Sequence, residues 1–174
     1  FLKEYPVKVI NNGVDLDIFK PSKTNSVRQK YGIKERHVIL ALFNVFSKYK
    51  GTDYLIKLTD YLTDDEVLVV VGLNKKDFHK LPKKHCLGIE HTDSIQELAA
   101  IYSLAEVFVN PTLQDTFPTT NLEALACGTP IVTFRTGGSV ESVTAHTGIV
   151  VEQNDMDGLL SAIRTILRTG KEHY

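Results

Sequence analysis

The stretch LAAIYSLAEVFVNPTLQDTFPTTNLEALACGTPIV, residues 98–132, contains every kind of segment that an α/β fold needs. A helix-spaced apolar pattern leads into the β-branched run EVFVNP (106–111), a long polar loop (110–121), a second helical pattern and the start of the run PIVTF (130–134). Apolar residues at three- and four-residue steps are typical of helices, and short continuous apolar runs between turns are typical of buried strands. The stretch therefore predicts helix, strand, loop, helix and strand, in that order.

The same alternation extends through the rest of the chain. Helical spacing recurs within residues 55–62, 95–104, 122–126 and 159–167, and residues 12–36 are typical of a turn and a short helix. Strand-like runs occupy residues 7–10, 37–43, 66–72, 85–89, 106–111, 130–134 and 148–152. Nearly continuous hydrophobicity in these runs favours parallel strands that are covered on both faces. We therefore predict an α/β fold, a single Rossmann-like domain with a mostly parallel sheet and helices on both faces.

The composition narrows the classes of partner. The chain has 174 residues, of which 43% are hydrophobic and 24% charged, and its formal net charge is −1. That balance provides neither a basic surface for nucleic acid nor a polybasic patch for a membrane. The two cysteines, Cys86 and Cys127, have no zinc-site spacing, which favours a reduced, cytoplasmic compartment. No apolar run is long enough for a membrane span, and the first residues resemble the middle of a longer chain.

Chemistry-bearing residues follow the strands. In open parallel sheets, ligands bind beyond the carboxyl ends of the strands. Four such junctions carry polar residues, namely NVFSKYKG (44–51), GIEHTDS (88–94), NPTLQDTFPTTN (110–121) and RTGGSVE (135–141). All four are expected on one edge of the sheet, where we expect any ligand to bind.

The first junction carries two cations directly before a helix. Lys48 and Lys50 precede the predicted helix start near Gly51. A cation is unfavourable at the partly positive helix N-terminus, and a bound anion would relieve that repulsion. Ser47 and the backbone N–H groups would add donors. The alternative is that both lysines are solvated loop residues.

The third junction carries two carboxylates, Asp115 and Glu123. The sequence Thr-Asn-Leu-Glu (120–123) fits a capping box, in which Thr120 caps the helix and Glu123 reaches back to it. That explanation leaves Asp115 and the length of the loop without a reason. A long loop that leads into a helix N-terminus also suits a phosphate, and a first-turn carboxylate suits a ribose diol. Spacing alone leaves both interpretations open.

Six segments match, in order, the motifs of one enzyme family. The match includes a carboxylate pair with the spacing of Asp115 and Glu123, although the family usually has glutamate at both positions. The chain thus resembles the C-terminal, donor-binding domain of retaining nucleotide-sugar glycosyltransferases of group 1, which have two Rossmann-like domains (the GT-B fold). The matching segments are residues 11–21, 48–51, 68–72, 98–132, 136–141 and 147–152.

The resemblance implies a role for each residue of the pair and its neighbours. Glu123 would bind the ribose hydroxyls of the donor, and Asp115 would face the donor sugar. Lys50 would neutralise the diphosphate as it leaves, and the N–H groups around Thr119 and Thr120 would cradle it. Asp115 and Lys50 are thus the predicted catalytic residues.

Further donor contacts are predicted around these residues. Lys48, Ser47 and Asn121 complete the predicted nucleotide site, and Glu90 and His91 would lie near the base. The donor would be a UDP- or GDP-sugar, with no metal. The acidic run at residues 64–66 is interpreted as a solvated turn on the opposite edge, not as a metal site.

The resemblance also implies what lies outside this chain. Residues 1–174 would form the donor domain, with an N-terminal acceptor domain before Phe1 and a glycan or lipid as acceptor, as in polysaccharide biosynthesis. Catalysis needs both domains, so this part alone is expected to be inactive. The enzyme would be cytoplasmic, with any contact to the inner face of the membrane made by the missing half.

The sequence departs from the family pattern at three positions. Asp115 is one methylene shorter than glutamate, and Pro118 replaces a common glycine and removes one N–H donor. Val45 stands where a basic residue is usual, and Lys48 is the nearest substitute. These changes bear on the choice of donor.

Two other classes of protein share this fold. One is a flavodoxin-like interaction domain without ligand chemistry, but its usual acids are absent after the first strand, where Asn44 stands. The other is half of a two-domain nucleotide-sugar epimerase, and no acid–base set for that reaction is visible. Binding of nucleoside diphosphates separates the interaction domain from the other two.

Overall fold

The computed structural model describes residues 8–23, 25–43 and 45–174. Its strands are β1 (His37–Leu42), β2 (Glu66–Val71), β3 (Cys86–Ile89), β4 (Val107–Asn110), β5 (Ile131–Phe134) and β6 (Gly148–Val151). Its α-helices are α1 (Ser26–Tyr31), α2 (Thr52–Leu58), α3 (Ile95–Leu104), α4 (Thr119–Ala126) and α5 (Met156–Thr169). Short 3-10 helices span Lys48–Lys50, Thr59–Tyr61, Lys75–Lys80, Gly137–Ser142 and Lys171–His173.

The six strands form one parallel sheet in the order β3-β2-β1-β4-β5-β6. Alternate residues of each strand point to opposite faces, so that Ile39 packs into one core and Leu40 into the other. Helices α2 and α5 cover the first face, and α1, α3 and α4 cover the second. The prediction of an α/β Rossmann-like fold with helices on both faces is confirmed.

The predicted strand at residues 7–10 is wrong over its described part. Residues 8–10 lie outside the sheet, and Val7 lies outside the described residues. Val9 and Ile10 expose 80% and 84% of their surface, so no strand or helix among the described residues covers them. A β-branched run forms a strand only where another strand pairs with it.

No helix in the described part of the chain is both long and apolar enough to cross a bilayer.

The acidic run 64–66 lies at the amino end of the sheet and is only partly solvated. Asp64 and Asp65 are exposed, as predicted, but Glu66 begins β2 and is buried. Its carboxylate accepts hydrogen bonds from the Thr63 N–H (2.8 Å) and from Arg164 of α5. The prediction of a solvated turn is therefore wrong at Glu66, because the strand carries that residue beneath α5.

Glu66 gives the fold a measurable pH dependence. Burial raises the pKa of its carboxyl, but the bonds from Thr63 and Arg164 outweigh burial and lower the pKa below its ordinary 4.5. A lowered folded-state pKa stabilises the fold above the unfolded-state pKa, and the effect is lost as the pH falls through the folded value.

We expect Glu66→Gln to reduce the free energy of unfolding by about 1 kcal/mol near neutral pH. The gap between variant and parent should narrow when urea unfolding is repeated at about pH 3, because protonation of Glu66 then begins to remove the effect of its charge. An equal gap at both pH values would show that the charge of Glu66 contributes nothing.

Candidate functional site

A cleft opens where the strand order reverses. The chain runs outward from β1 to β2 and β3 and then returns to place β4 on the other side of β1. The loops after β1 and β4 therefore leave the sheet in opposite directions, and a crevice forms between them. This cleft has a volume of about 270 Å³ and is lined by Leu42, Phe43, Lys50, Val71, Gly72, Asn110, Asp115 and Thr120.

A tight turn holds Lys50 at the cleft. The Ser47 hydroxyl accepts a hydrogen bond from the Tyr49 N–H (3.2 Å) and so caps the 3-10 helix Lys48–Lys50. Gly51 follows with a φ of 68°, and a Cβ at this position would lie 2.0 Å from the carbonyl oxygen of Pro111. Only glycine lets the two loops approach so closely.

The loops after β1 and β4 are also bonded to each other. The Tyr49 carbonyl accepts hydrogen bonds from the Leu113 N–H (2.8 Å) and the Thr112 hydroxyl (3.0 Å). As a result, Lys50 Nζ lies 3.1 Å from Asp115 Oδ2. The two predicted catalytic residues thus form an ion pair in the structure.

A third loop supports Asp115 from behind. Gly137 and Gly138 begin the 3-10 helix after β5, and a Cβ on them would lie 2.0 Å and 1.9 Å from the carbonyl oxygens of Asp115 and Thr116. The backbone of the Asp115 loop is therefore fixed by direct backbone packing. This contact keeps the carboxylate facing Lys50.

Helix α4 begins at the cleft without a side-chain cap. Pro118 is the N-cap residue, and none of the described side chains bonds to the first N–H groups. Thr120 lines the cleft, whereas Thr119 is exposed. The uncapped N-terminus supplies N–H donors and a partial positive charge beside Lys50.

Glu123 does not form a capping box. Helix α4 starts at Thr119 with Pro118 as its N-cap, so Glu123 lies two residues beyond the position from which a capping-box side chain reaches the N-cap, and the capping interpretation is wrong. Its Oε2 instead accepts a hydrogen bond from the Tyr102 hydroxyl (2.8 Å) on α3. Burial, with a smaller contribution from the charge of Glu123, raises the pKa of the Tyr102 phenol well above its usual value. Tyr102 therefore stays protonated and donates.

Asn121 belongs to the frame of the site. Its side chain is fully buried, with Oδ1 accepting from Asn110 Nδ2 (2.9 Å) and Nδ2 donating to Ser142 Oγ (3.1 Å). Both ends of the amide thus have partners within the protein, and the contact of Asn121 with the nucleotide stays a prediction. It joins the end of β4, helix α4 and the Gly137–Ser142 turn.

Neither Glu123 nor the remaining predicted residues are among those that line the cleft. Lys48 is exposed, and its Nζ lies 5.3 Å from the centre of the Tyr49 ring. Glu90 accepts a hydrogen bond from the Lys75 N–H (3.1 Å), and His91 is exposed. Glu90 and His91 follow β3, which β2 separates from β1, so they lie on the predicted edge but farther along it.

Some contributors to the site were not predicted. The sequence pattern places Tyr102 within a predicted helix (95–104) and Asn110 at the start of the polar loop 110–121, but neither is predicted as a site residue. A buried tyrosine needs a hydrogen-bond partner for its hydroxyl, but the sequence alone does not show which residue that partner is.

In the described part of the chain, no group of three or more His, Cys, Asp or Glu side chains is arranged to hold a metal ion.

The sequence has clear relatives. The model of the family described as glycosyl transferases group 1 matches residues 23–174. A D-inositol 3-phosphate glycosyltransferase from Kribbella flavida is 30% identical over 179 residues, covering 92% of this chain and 42% of that protein. The enzyme of that name from Mycobacteroides abscessus is 24% identical over 172 residues, covering 92% and 39%. The chain spans about two fifths of the length of these curated relatives.

Solved structures share the fold. HepE from Anabaena in complex with UDP-glucose has a TM-score of 0.77 at 23% identity, covering 93% of this chain and 48% of that one. The C-terminal domain of a group 1 family glycosyl transferase, LpcC from Francisella tularensis, has a TM-score of 0.74 at 22% identity. That match covers 90% of this chain and 88% of the LpcC domain. At these identities the likeness shows the fold alone.

Proposed function

Because the chain belongs to the glycosyl transferases group 1 family, we propose that it is the donor-binding part of a retaining glycosyltransferase that uses a nucleoside-diphosphate sugar. The observation that carries the proposal is the convergence of Lys50, Asp115 and the uncapped N-terminus of α4 on one cleft. A cation and a helix N-terminus suit a diphosphate, and a carboxylate suits sugar hydroxyls.

The proposed chemistry assigns each group to one part of the donor. As the bond between the sugar and the diphosphate breaks, negative charge grows on the departing phosphate, and Lys50 Nζ and the N–H groups at Thr119 and Thr120 stabilise it. Asp115 holds a hydroxyl of the sugar as it becomes oxocarbenium-like. Glu123 holds the ribose and fixes the nucleotide while the sugar leaves.

The outer part of the donor extends along the same edge of the sheet. Glu90 and His91, after β3, are placed near the base in this proposal, and Lys48 and Ser47 flank the phosphates. The apolar wall of the cleft formed by β1 and β2 lies between these two regions. The proposal includes no metal.

The donor is proposed to be a UDP-sugar, with a GDP-sugar as the second candidate. HepE structures with this fold hold UDP-glucose or UDP. The acceptor, a glycan or a lipid, is assigned to a further Rossmann-like domain, because this chain covers only about half of the HepE chain. The name of these relatives, D-inositol 3-phosphate glycosyltransferase, suggests a phosphorylated inositol as one acceptor to assay.

Neither alternative class is favoured by the comparisons. The family match supports a glycosyltransferase over an epimerase and over an interaction domain. Asn44, which speaks against the interaction domain in the sequence, lies outside the described residues.

Titration of the chain with UDP, GDP and ADP tests the proposal. A ligand that binds only the folded state raises the melting temperature, and the rise grows with ligand concentration. We expect such a rise, with calorimetric binding, for at least one of the three nucleotides. Absence of binding by all three would refute the proposal.

The variant Asp115→Asn tests the binding of the sugar separately from the binding of the nucleotide. Asparagine keeps the shape but loses the charge, so we expect about a three- to tenfold weaker binding of UDP-glucose. UDP, which lacks the sugar, should be affected much less. Equal losses for both ligands in calorimetry would remove Asp115 from the sugar site.

A further inference from the structure

Tyr102 is a buried polar group to which the proposed chemistry gives no task. It lies near the end of α3 and is fully buried, with its ring in edge contact with Phe19 and Phe108 at centroid distances of 6.1 Å and 5.5 Å. Its backbone carbonyl accepts a hydrogen bond from the Thr129 hydroxyl (2.6 Å). Ring and backbone are therefore both held in place.

The phenol hydroxyl points at one oxygen of a residue of the proposed site. Tyr102 donates to Glu123 Oε2, and Oε2 is the only oxygen of that carboxylate for which the described residues provide a hydrogen bond. Glu123 lies one turn after Thr120, which lines the cleft, so the two side chains share a face of α4. The second oxygen, Oε1, is left to accept from a ligand.

We propose that Tyr102 is a positioning residue that fixes the Glu123 carboxylate for the ribose hydroxyls of the donor. A glutamate side chain has three rotatable bonds, and their ordering costs free energy on binding. A hydrogen bond from an immobile phenol orders the carboxylate before the nucleotide arrives, which is the general advantage of preorganisation. This inference rests on the proposed role of Glu123.

Tyr102→Phe removes only the hydroxyl, because phenylalanine keeps the ring contacts with Phe19 and Phe108. We expect it to weaken UDP or GDP binding by about three- to tenfold. The 2′,3′-dideoxy form of the same nucleotide, which offers no ribose hydroxyls, should bind parent and variant alike. The ratio of the dissociation constant of the dideoxy nucleotide to that of the ordinary nucleotide should therefore fall in the variant.

This ratio is the decisive readout. A purely structural effect of Tyr102→Phe would weaken both nucleotides equally, because both bind the same folded protein, and the ratio would not change. Tyr31→Phe is the matched control, since the Tyr31 hydroxyl donates to Glu97 (3.0 Å), a carboxylate that does not line the cleft. We expect Tyr31→Phe to leave the ratio unchanged.

A double variant shows whether Tyr102 acts through Glu123. If it does, Tyr102→Phe should cost no further affinity once Glu123→Gln is present. Additive losses in the double variant, or an unchanged ratio in Tyr102→Phe, would overturn the inference.

The outcomes distinguish this inference from the proposed function. If Glu123→Gln lowers the ratio and Tyr102→Phe does not, only the positioning role fails. If Glu123→Gln itself leaves the ratio unchanged, the ribose role of Glu123 fails, and the inference fails with it.

Discussion

Replacement of Lys50 by alanine is expected to weaken the binding of UDP by about ten- to a hundredfold, because a charge-assisted hydrogen bond contributes roughly 1.5–3 kcal/mol. The Lys50 ammonium lies at the cleft, 3.1 Å from Asp115 and beside the N-terminus of α4. A diphosphate bound at that position would replace Asp115 as the counter-ion of Lys50. Uridine, which has no phosphate, should bind the variant almost as it binds the parent.

Lys48→Ala compares Lys50 with a second lysine of the same turn, which the proposal places beside the phosphates but outside the cleft. It removes the same charge from the same turn, but Lys48 is exposed beside Tyr49 and does not line the cleft. A much smaller loss is expected for this variant in calorimetric titrations. Equal losses for UDP and uridine in Lys50→Ala would contradict the assigned role.

Glu123→Gln is expected to weaken nucleotide binding by a similar factor, about ten- to a hundredfold. Glutamine keeps one acceptor oxygen but loses the charge and the second oxygen, so it cannot accept from Tyr102 and a ribose hydroxyl as the carboxylate can. The free energy of unfolding should change by less than about 1 kcal/mol, because the amide oxygen still accepts from Tyr102.

Glu97→Gln is the matched control for this substitution. Glu97 also accepts from a tyrosine hydroxyl, that of Tyr31, but it lies beside Lys30 on the outer side of α3. Its replacement should leave nucleotide affinity unchanged. Unchanged affinity in Glu123→Gln, measured by titration with denaturant melts on the same samples, would leave Glu123 with only its bond to Tyr102.

The layout of the sheet could be predicted because it depends on local patterns. Continuous apolar runs such as Val67–Val71 mark strands buried on both faces, and helical spacing marks the segments between them. The predicted strand at residues 7–10 fails over residues 8–10 because pairing is a long-range property. Val9 and Ile10 are residue types that are common in strands, and their identity does not show whether another strand lies beside them.

The position of the site could be predicted, but not its internal contacts. Lys50 and Asp115 were expected on one edge because both follow parallel strands. Their ion pair depends on the packing of Gly51 against Pro111, a backbone approach that no sequence spacing specifies.

The roles of Glu123 and Asn121 depend on tertiary structure that spacing does not show. Glu123 fits a capping box by spacing, yet α4 begins two residues earlier than that motif requires. Asn121 lies among predicted ligand residues, yet its amide is buried between Asn110 and Ser142. In both cases the residue type was compatible with several roles, and only the tertiary contacts select one.

A crystal structure of the chain with UDP-glucose would test the central claim most directly. The account predicts the diphosphate against Lys50 and the N-terminus of α4, with a ribose hydroxyl on Glu123 and the glucose facing Asp115. A nucleotide bound away from this cleft, or one whose phosphates do not contact Lys50 or α4, would contradict it.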